Sequence, residues 1–560
     1  MAVSSRPKGL ALLAVALRTR TSASMLVFGL SSGLPFSLLI GTLTAWLGEA
    51  KVNLATVGVL AFAGLAYAFK FLWSPLVDRV AVPLVGRLGR RKGWIVACQL
   101  VLVASLLALA ATDPVTQIGR FALLAVLGAL ASATQDVAID GWRIDVADEA
   151  TPVELLSALY QLGYRTAAII GGAFALFLAA RMSWPAVYVL MAGIMALLLL
   201  VALIAPERRV TADRAATIDA GELAPALRLA ALGVVGACWL GAMVAIGRFM
   251  AGMLAPVPAG GKLPSAADFL RYEGPWIVVA TVVVPLAIAA ITNRVRRRSA
   301  AIRSPIEAPR RSGTALAADH LYGALVSPLA ELTGRLGWGV LVVIGLILTY
   351  ALCYNVWASF AYPFYLDYLH YSKDEVAFAS KLFGIVMSII GVALGGYLFL
   401  RLGRFPTLLL GAAMPIFGNF LYADLAEGGA HIDAVAHLLR LDILAGGFGQ
   451  DARMTRLLMT ICYENIATGL AGAAFTAFVS GIVAKRFAAV QYALLSSLTF
   501  LIGSLGKSVA GEAIDAHGYA TVFRWVAVAG LPAIGFVLVE WLRASRTRTT
   551  AEPGRTGEPA

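Results

Sequence analysis

The 560-residue sequence is poor in the side chains that build disulfides and metal sites, with only four Cys and five His. The cysteines fall singly within apolar stretches and show no paired loop pattern, so we expect free, buried thiols and no disulfide framework. The first 23 residues lack a small-residue cleavage pattern, so the sequence predicts no removable signal peptide. The cysteines are Cys98, Cys238, Cys353 and Cys462.

Charged residues are also scarce, at 14%, whereas hydrophobic residues make up 60% and the mean hydropathy is +0.81. Such a composition exceeds that of water-soluble domains. Crossing about 30 Å of hydrocarbon as a helix takes roughly 20 apolar residues, and long continuous runs favour helices over the strands of a barrel. Fourteen runs are found: 24–47, 56–76, 93–112, 118–140, 156–180, 184–205, 229–247, 275–292, 337–365, 376–400, 405–423, 455–483, 490–510 and 520–541.

Most of the 45 Lys and Arg lie in alternate loops, which predicts that those loops and both termini are cytoplasmic in a multi-pass protein of the bacterial inner membrane. The net charge of +13 is then a result of topology and gives no reason to expect nucleic acid, because the basic clusters Arg87–Lys92 and Arg294–Arg311 adjoin membrane exits. Four cations fall inside predicted spans: Lys70, Arg165, Lys381 and Lys507.

The spans divide into two sets of six. We predict a cytoplasmic N-terminus (1–23), a six-helix bundle (24–207), a linker with two extra spans (208–336), a second bundle (337–541) and a cytoplasmic tail (542–560). The stretch Asn293–Arg335 is rich in Arg, Pro, Ser and Ala, which predicts a mobile cytoplasmic segment. Each bundle has a basic turn after its second span, as expected for an internally duplicated carrier.

The first basic turn contains Asp78-Arg79 and, further on, Gly89-Arg90-Arg91-Lys92. It resembles the signature between helices two and three of the major facilitator superfamily, although the two parts are separated by a longer run. We expect Asp78 to pair with a neighbouring Arg and to latch one conformation, with a solvated positive loop as the alternative. The predicted latch residues are Asp78, Arg79, Arg90 and Arg91.

Residues 25–207 resemble more narrowly the AmpG family of that superfamily. The matching strings are Phe28-Gly-Leu-Ser-Ser-Gly-Leu-Pro35, Gly64-Leu-Ala-Tyr-Ala-Phe-Lys-Phe-Leu-Trp-Ser-Pro-Leu-Val-Asp-Arg79, Ser132-Ala-Thr-Gln-Asp-Val-Ala-Ile-Asp-Gly141 and Leu162-Gly-Tyr-Arg165. The second half resembles the family mainly in hydropathy and around Tyr463-Glu-Asn465.

The resemblance implies an all-α major facilitator fold of 14 transmembrane helices, two six-helix bundles plus two extra helices. It also implies proton-driven import of anhydromuropeptides (N-acetylglucosaminyl-anhydromuramyl peptides) from periplasm to cytoplasm for peptidoglycan recycling. We expect no cofactor beyond protons as the coupling ion, membrane lipid as the surroundings, and a monomer.

Ionisable side chains within the spans are the main functional candidates, because a charge at helix-centre depth is costly and persists when it is paired, hydrated or useful. In the fourth span Asp136, Asp140 and Arg143 share one helix face, beside Gln135. We predict Asp136 and Asp140 as proton-coupling groups, and Gln135 and Arg143 as substrate contacts. The alternative is a hydrated latch between Asp140 and Arg143.

Glu464 occupies the corresponding span of the second half and is predicted as a further proton site, with a structural hydrogen bond to Asn465 as the alternative. The helices that border the cavity in the superfamily add further candidates by resemblance. These candidate lining groups are Ser31, Ser32, Tyr354, Asn355 and Asn465.

The buried cations suit an anionic substrate. Arg165 can bind a carboxylate with two hydrogen bonds, and Tyr160 and Tyr164 beside it can pack on a sugar. Lys70 is the other favoured contact, whereas Lys381 and Lys507 lie nearer membrane edges. Each cation can instead neutralise a buried carboxylate or extend to the interface. Close helix packing is expected at Gly29, Gly33, Gly171 and Gly172.

Other function classes are weaker. Gly506-Lys507-Ser508 resembles a nucleotide-binding loop, but position 501 is Leu where that loop requires Gly, which argues against an ATP-driven pump. A Mg²⁺-dependent prenyl transferase would use the spaced aspartates from Asp136 to Asp148, yet it leaves the two halves unexplained, so we expect no enzyme. A carrier of another anionic solute, or a receptor or assembly factor of the same fold, stays open.

The loop Tyr422–Arg456 contains two His and several Asp, which is a weak pattern for a metal site. The leucines and isoleucine of residues 438–444 fit a short amphipathic helix on the membrane surface better. The sequence therefore predicts a surface helix at this loop.

Overall fold

The computed structural model describes residues 17–52, 61–207, 224–254, 266–300, 314–353 and 360–551, and over these ranges every regular element is a helix. The helices of the first half are α1 (Arg20–Glu49), α2 (61–79), α3 (Arg90–Ala110), α4 (Ile118–Val146), α5 (Val153–Ala179) and α6 (Trp184–Ile204). Those of the insertion are α7 (Pro225–Leu254), α8 (Ala266–Tyr272), α9 (274–300), α10 (Thr314–Leu325) and α11 (Ser327–Leu336).

The second half repeats the plan of the first. Its helices are α12 (Gly339–Tyr350), α13 (361–368), α14 (Lys373–Leu402), α15 (Arg404–Ala426), α16 (Ala430–Leu438), α17 (Leu441–Gly447), α18 (Ala452–Ile482), α19 (Ala488–His517) and α20 (Tyr519–Ala551). Helical segments thus occur at all the predicted spans.

Within the described residues, 11 helices are long and apolar enough to cross a membrane, or up to 12 if the bent pair α11 and α12 forms one span. The predicted all-helical membrane fold is confirmed, and the count of 14 stays a prediction.

The stretch Asn293–Arg335, predicted to be mobile, is largely helical where it is described. α10 and α11 pack on α7, α9 and α19, and the amide of Asn293 donates a hydrogen bond of 2.8 Å to Thr333 Oγ1. The prediction of a mobile segment is wrong for α10 and α11, because the apolar side chains Leu329 and Leu332 between its polar residues are buried.

Among the described residues, the two halves share an apolar cluster toward one end of the bundle. We define the basic end of the bundle as the end at which the turn 80–89 and the loop 147–152 lie. Toward it, a single apolar cluster contains Trp142 of the first half and Phe478 of the second. Toward the opposite end each half has its own cluster, around Trp46 in the first half and around Phe364 in the second.

Two short helices cover the opposite end of the second half. α16 and α17 lie in the loop where an amphipathic helix was predicted, and they meet at Arg440, whose φ is 57°. Leu438 and Ile443 are largely exposed, as expected for a surface that faces membrane. Arg456 holds the loop to α18 by donating hydrogen bonds of 2.7 and 2.6 Å to Asp433.

Candidate functional site: a buried ionic cluster between two helical halves

Lys70 lies at a break in α2. The helix ends at Phe69, passes through one 3₁₀ turn, Lys70–Leu72, and resumes at Ser74 with Pro75 in its first turn. The break fits the sequence because Pro75 has no N–H to continue the hydrogen-bond ladder. A 3₁₀ stretch inside a helix often marks a functional hinge. Here it places the Lys70 ammonium 3.7 Å from Asp140 Oδ2 in a buried site.

Asp140 is shared between two cations. Besides the pair with Lys70, it forms an ion pair with Arg143, in which Arg143 Nη2 lies 3.0 Å from Asp140 Oδ1. Arg143 is fully buried, and an ion pair at this depth persists when both charges are compensated. Asp140 thus serves as the counter-ion of the cluster.

Arg143 also joins the two halves. Its Nε donates to Ser480 Oγ of α18 at 3.2 Å, and its guanidinium lies 4.9 Å from the ring centre of Tyr492 on α19 and 5.1 Å from that of Tyr160 on α5. These cation–π contacts are favourable where water is excluded. In this conformation Arg143 links the halves instead of offering a free face to substrate. Its pair with Asp140 is present, but it is buried and not hydrated as the latch alternative predicted.

Asp136 lies one turn along α4 and has a different environment. Ser32 Oγ donates to its Oδ1 at 2.5 Å, and the same hydroxyl lies 2.8 Å from Tyr160 OH. Asp136 is only 5% exposed. The side chain of Gln135 points to α1, where its Nε2 donates to Ser31 O at 2.8 Å. Asp136 is therefore a buried carboxylate that accepts from the hydroxyl of Ser32, and that hydroxyl is linked in turn to Tyr160. Each hydroxyl can act as donor or acceptor.

Glycines bring Ser32 to Asp136 and Tyr160. A Cβ on Gly29 would lie 2.2 Å from Tyr160 O, and one on Gly163 would lie 2.1 Å from Leu26 O, so α1 and α5 cross in backbone contact. Such crossings require residues without a side chain. The expected packing role is found at Gly29, Gly33 and Gly171.

Gly172 is different from these glycines. A Cβ added there would meet nothing within 4 Å. The expected packing role is therefore wrong for Gly172, because α5 turns this residue away from its neighbours.

Arg165 lies on the face of α5 that points to the second half. One turn earlier Gln161 donates to Thr476 Oγ1 of α18 at 2.8 Å, and residues four apart on a helix share a face. Arg165 is partly exposed, and its Nε has no hydrogen-bond partner among the residues that the structure describes. Tyr164 packs on Phe36, with 5.9 Å between ring centres. Arg165 is therefore more available to an anion than Lys70 or Arg143.

Glu464 lies apart from the Asp136 cluster. Its Oε2 accepts a hydrogen bond of 2.9 Å from the amide of Asn465, and it borders a void of about 10 Å³ with Asn419 and Tyr422 of α15. The structural alternative predicted for Glu464 is thus present. The structure does not bring Glu464 and Asp136 together, because one faces α15 and the other faces α1.

The predicted ion pair of Asp78 with a neighbouring Arg is present at the basic end, and its role as a latch stays a prediction. Asp78 pairs with Arg91, whose Nε also contacts Asp145 Oδ2 at 3.1 Å. Asp78 Oδ2 accepts a hydrogen bond of 2.9 Å from the backbone N–H of Val490, in the first turn of α19. A carboxylate at a helix N-terminus is favoured by the free N–H groups and by the helix dipole. Asp78 therefore connects α3 of the first half with α19 of the second.

The other two predicted latch residues play lesser parts. Arg79 is exposed and donates to His320 O of α10 at 3.2 Å. Arg90 is half-buried, and its Nε has no hydrogen-bond partner within the described part of the chain. Further contacts between the halves at this end are Arg404 with Glu154 at 3.0 Å and Lys485 with Ala147 O at 3.1 Å.

Glu207 was not predicted as a functional residue, yet it closes the start of α3. Its Oε1 accepts from the backbone N–H of Arg91 at 3.2 Å, and its side chain lies against Gly89, whose φ is 116°. Burial raises the pKa of Glu207 to about 7, although hydrogen bonds from the backbone of Arg91 and Lys92 act in the opposite direction. The titration of this carboxyl thus falls near neutral pH.

Some predicted residues cannot be placed. Tyr354 and Asn355 lie outside the described residues, as do the side chains of Lys381 and Lys507. In the loop 427–451, His437 pairs with Asp442, whereas His431 pairs with Asp424 at the end of α15. Among the residues that the structure describes, no group of three or more His, Cys, Asp or Glu is arranged to hold a metal.

Comparison with known proteins agrees with this architecture. The family model described as Major Facilitator Superfamily matches residues 21–222. The anhydromuropeptide permease of Escherichia coli (strain K12) is 27% identical over 92% of this chain and 79% of its own. Over residues 21–222 the chain is therefore similar to the major facilitator superfamily. The predicted resemblance to its AmpG family is confirmed, since the similarity to the permease also covers the second half.

Solved structures of the superfamily support the fold. The human organic anion transporter MFSD10 aligns with a TM-score of 0.53 at 15% identity, over 92% of this chain and 99% of its own. The proton:xylose symporter XylE aligns with a TM-score of 0.54 at 13% identity, over 94% and 95% of the two chains. At these identities the likeness shows a shared fold, and function has to be argued from the site.

Several residues of the site gave no signal in the sequence. Ser480 and Tyr492 are ordinary residues of apolar helices, and their contact with Arg143 depends on how the halves meet. Tyr67 donates to Ser132 at 2.6 Å. Each of the two residues lies in one of the family-like strings, and those strings were the available signal that they belong to the site. Glu154 and Arg404 each adjoin a predicted basic-end loop, but nothing in the sequence pairs them.

Proposed function

We propose that this chain is a proton-coupled transporter that imports anhydromuropeptides by alternating access of its two halves. The observation that carries the proposal is Asp136, a buried carboxylate that accepts a hydrogen bond from Ser32, whose hydroxyl also contacts Tyr160, beside the ionic cluster that joins the halves. A buried acid in a membrane helix is a functional candidate by default. The substrate class is supported by the name of the Escherichia coli relative.

The chemistry of the site agrees with an anionic substrate. Anhydromuropeptides carry several carboxylates and sugar hydroxyls, and Arg165 is partly exposed on the face of α5 that points to the second half. A guanidinium can donate two parallel hydrogen bonds to a carboxylate. Tyr164 is half-buried one residue away and can pack on a sugar ring. We assign Arg165 as the first substrate contact, ahead of Lys70 and Arg143, whose charges are already paired.

The direction follows from the charged loops. Positive loops are retained in the cytoplasm, which supports an orientation with the basic end and both termini inside. The halves share a core at the basic end and have separate cores at the opposite end. We infer that this conformation is closed to the cytoplasm and receives substrate from the periplasm.

Proton coupling works in this scheme through Asp136. The hydroxyl of Ser32 can accept from the carboxylic acid or donate to the carboxylate by rotating its O–H bond, so both protonation states keep a hydrogen bond. Loss of the proton places a second negative charge one turn from Asp140, near Lys70 and Arg143. The charge balance of the cluster that joins the halves then changes, and the Arg143 contacts to Ser480 and Tyr492 are the contacts that must break.

A second candidate is a carrier of a different organic anion. Arg165 and the paired cations do not by themselves select a muropeptide, and the structural neighbour MFSD10 is described as an organic anion transporter. A receptor or assembly factor of the same fold would bind ligand without moving it across the membrane.

Uptake into proteoliposomes tests the proposal. The purified protein is given a labelled N-acetylglucosaminyl-anhydromuramyl peptide, with or without an imposed inward proton gradient, and unlabelled simple organic anions serve as competitors. We expect gradient-dependent accumulation that only anhydromuropeptides compete for. Accumulation abolished by simple anions favours the second candidate. Binding without accumulation contradicts transport.

A further inference from the structure

A cavity of about 650 Å³ lies between the insertion and the second half. One wall is formed by α9, through side chains such as Val282 and Leu286, and the other by α12, through Leu341 and Ile344. The cavity exists because α11 and α12 meet at an angle of 105°, at Gly337. Its size lies within the range of about 300–1,000 Å³ that is usual for small-molecule sites.

The lining is apolar over most of its surface and polar near the end of α9 that leads to the basic end. There the cavity is bordered by Asn293, Arg294 and Thr333. Asn293 is used structurally, since its amide donates to Thr333 Oγ1 at 2.8 Å and to Ala330 O. Arg294 is exposed and has no hydrogen bond or ion pair with any residue that the structure describes. The cavity is thus an apolar slot with one available cation at its mouth.

Two features place this mouth at a membrane surface. Trp338 lines the cavity and is 64% exposed, and exposed tryptophans are enriched where hydrocarbon meets the headgroups. α9 runs from Gly274 through apolar sequence into Arg294 and, one turn later, into Arg298, which is also exposed. The positive-inside rule places this basic exit at the cytoplasmic leaflet, where anionic lipids attract Lys and Arg.

We propose that this cavity binds an anionic phospholipid of the cytoplasmic leaflet. One acyl chain occupies the slot between α9 and α12, and the phosphate accepts hydrogen bonds from Arg294. Among the described residues that line the cavity, none is acidic, so the site offers no partner for the ammonium group of a zwitterionic headgroup. The charge balance therefore selects a headgroup with net negative charge, such as phosphatidylglycerol.

The site gives the insertion a specific task. Its two walls belong to different units, α9 to the insertion and α12 to the second half, and α11 between them contacts both. A lipid bound here fills the space opened by the bend and fastens the insertion to the bundle. This inference is independent of the transported substrate, so it stands or falls separately from the proposed function.

Fluorescence quenching by brominated lipids tests the proposal in nanodiscs. Because the chain has 11 Trp, the signal of Trp338 is taken as the difference between the parent protein and Trp338→Phe. Brominated phosphatidylglycerol and brominated phosphatidylcholine are compared over the same mole fractions. We expect half-quenching of Trp338 at about fivefold less phosphatidylglycerol, the preference expected from one Arg at an anionic surface.

Three variants decide the interpretation. Arg294→Gln is expected to remove the preference, whereas Arg87→Gln, which removes an exposed cation from another loop of the same end, is expected to keep it. Ala287→Phe narrows the slot and is expected to reduce quenching of Trp338 by phosphatidylglycerol. Equal quenching by both lipids in the parent protein would overturn the proposal. An equal loss of the phosphatidylglycerol preference in Arg294→Gln and Arg87→Gln would also overturn it, as would unchanged quenching of Trp338 in Ala287→Phe.

Discussion

At the scale of single residues, Asp78 is a contact between the two halves at the basic end. It pairs with the buried Arg91 and accepts a hydrogen bond from Val490 N across the boundary between the halves. Removing one member of a buried ion pair leaves the other charge uncompensated and typically costs about 3–5 kcal/mol. Arg91 keeps Asp145 as a second partner, so the lower end of that range applies.

We therefore predict that Asp78→Asn lowers the stability of the detergent-solubilised protein by about 3 kcal/mol in a thermal or denaturant assay. Arg79→Gln is the matched control, because Arg79 is the next residue and its side chain is exposed. This variant should change stability by less than about 1 kcal/mol. Equal effects of the two variants would show that Asp78 does not hold the halves together.

Glu207 gives a prediction about pH. Its pKa in the folded protein is about 7, raised by burial from the ordinary value of 4.5. A carboxyl with a raised folded pKa contributes stability that is complete below 4.5 and is lost as pH rises through 7. We expect the apparent melting temperature to fall between pH 5 and pH 8, and to fall less in Glu207→Gln. Glu149→Gln, at an exposed position of the same end, should keep the parent profile.

Sequence reasoning was most effective for residues whose surroundings lie on one helix. Asp140 and Arg143 form a pair because they lie three positions apart on one helix face. The partners of Arg143 in the second half gave no signal, since their contact depends on how two bundles dock.

At the scale of elements, the crossing of α1 and α5 determines whether the Asp136 site exists. Gly163 is in backbone contact with α1, so any Cβ there must displace a helix. We predict that Gly163→Ala destabilises the protein by about 1–3 kcal/mol, the usual cost of overpacking, and that it weakens uptake by separating Ser32 from Tyr160 and so shifting the hydroxyl that Asp136 uses.

Gly172→Ala is the matched control for this prediction. It lies on the same helix in open space and should leave stability within about 0.5 kcal/mol of the parent. Thermal unfolding and uptake measured side by side check both variants. A Gly163→Ala protein with parent stability and uptake would contradict the close crossing.

The insertion shows that hydropathy predicts short amphipathic helices poorly. The polar composition of Asn293–Arg335 predicted a mobile segment, but α11 is an amphipathic helix whose Leu329 and Leu332 are buried. Spans were predictable because twenty apolar residues in sequence have few alternatives. Short amphipathic helices depend on a partner surface that the sequence does not display.

At the scale of the whole molecule, the distribution of apolar cores is the basis for the proposed rocking motion. The halves share one core toward the basic end and have separate cores toward the other. Alternating access in this architecture is largely a rigid movement of one bundle against the other. Substrate should therefore open the basic end and close the opposite one.

Spin labels at exposed positions measure this movement. Labels at Glu149 and Arg401 span the basic end, and labels at Val115 and Lys373 span the opposite end. In nanodiscs at low pH, we predict that an anhydromuropeptide lengthens the first distance and shortens the second by electron–electron double resonance. Changes of the same sign at both ends would contradict rocking about a central site.

The central claim is that Asp136 couples proton movement to substrate movement. The most direct measurement compares gradient-driven accumulation with substrate exchange at equilibrium, in proteoliposomes holding either the parent protein or Asp136→Asn. The account predicts that the variant loses accumulation but retains exchange of labelled for unlabelled anhydromuropeptide, because Asn keeps a hydrogen bond to Ser32 while it cannot release a proton. Accumulation at the parent level in Asp136→Asn would contradict the account.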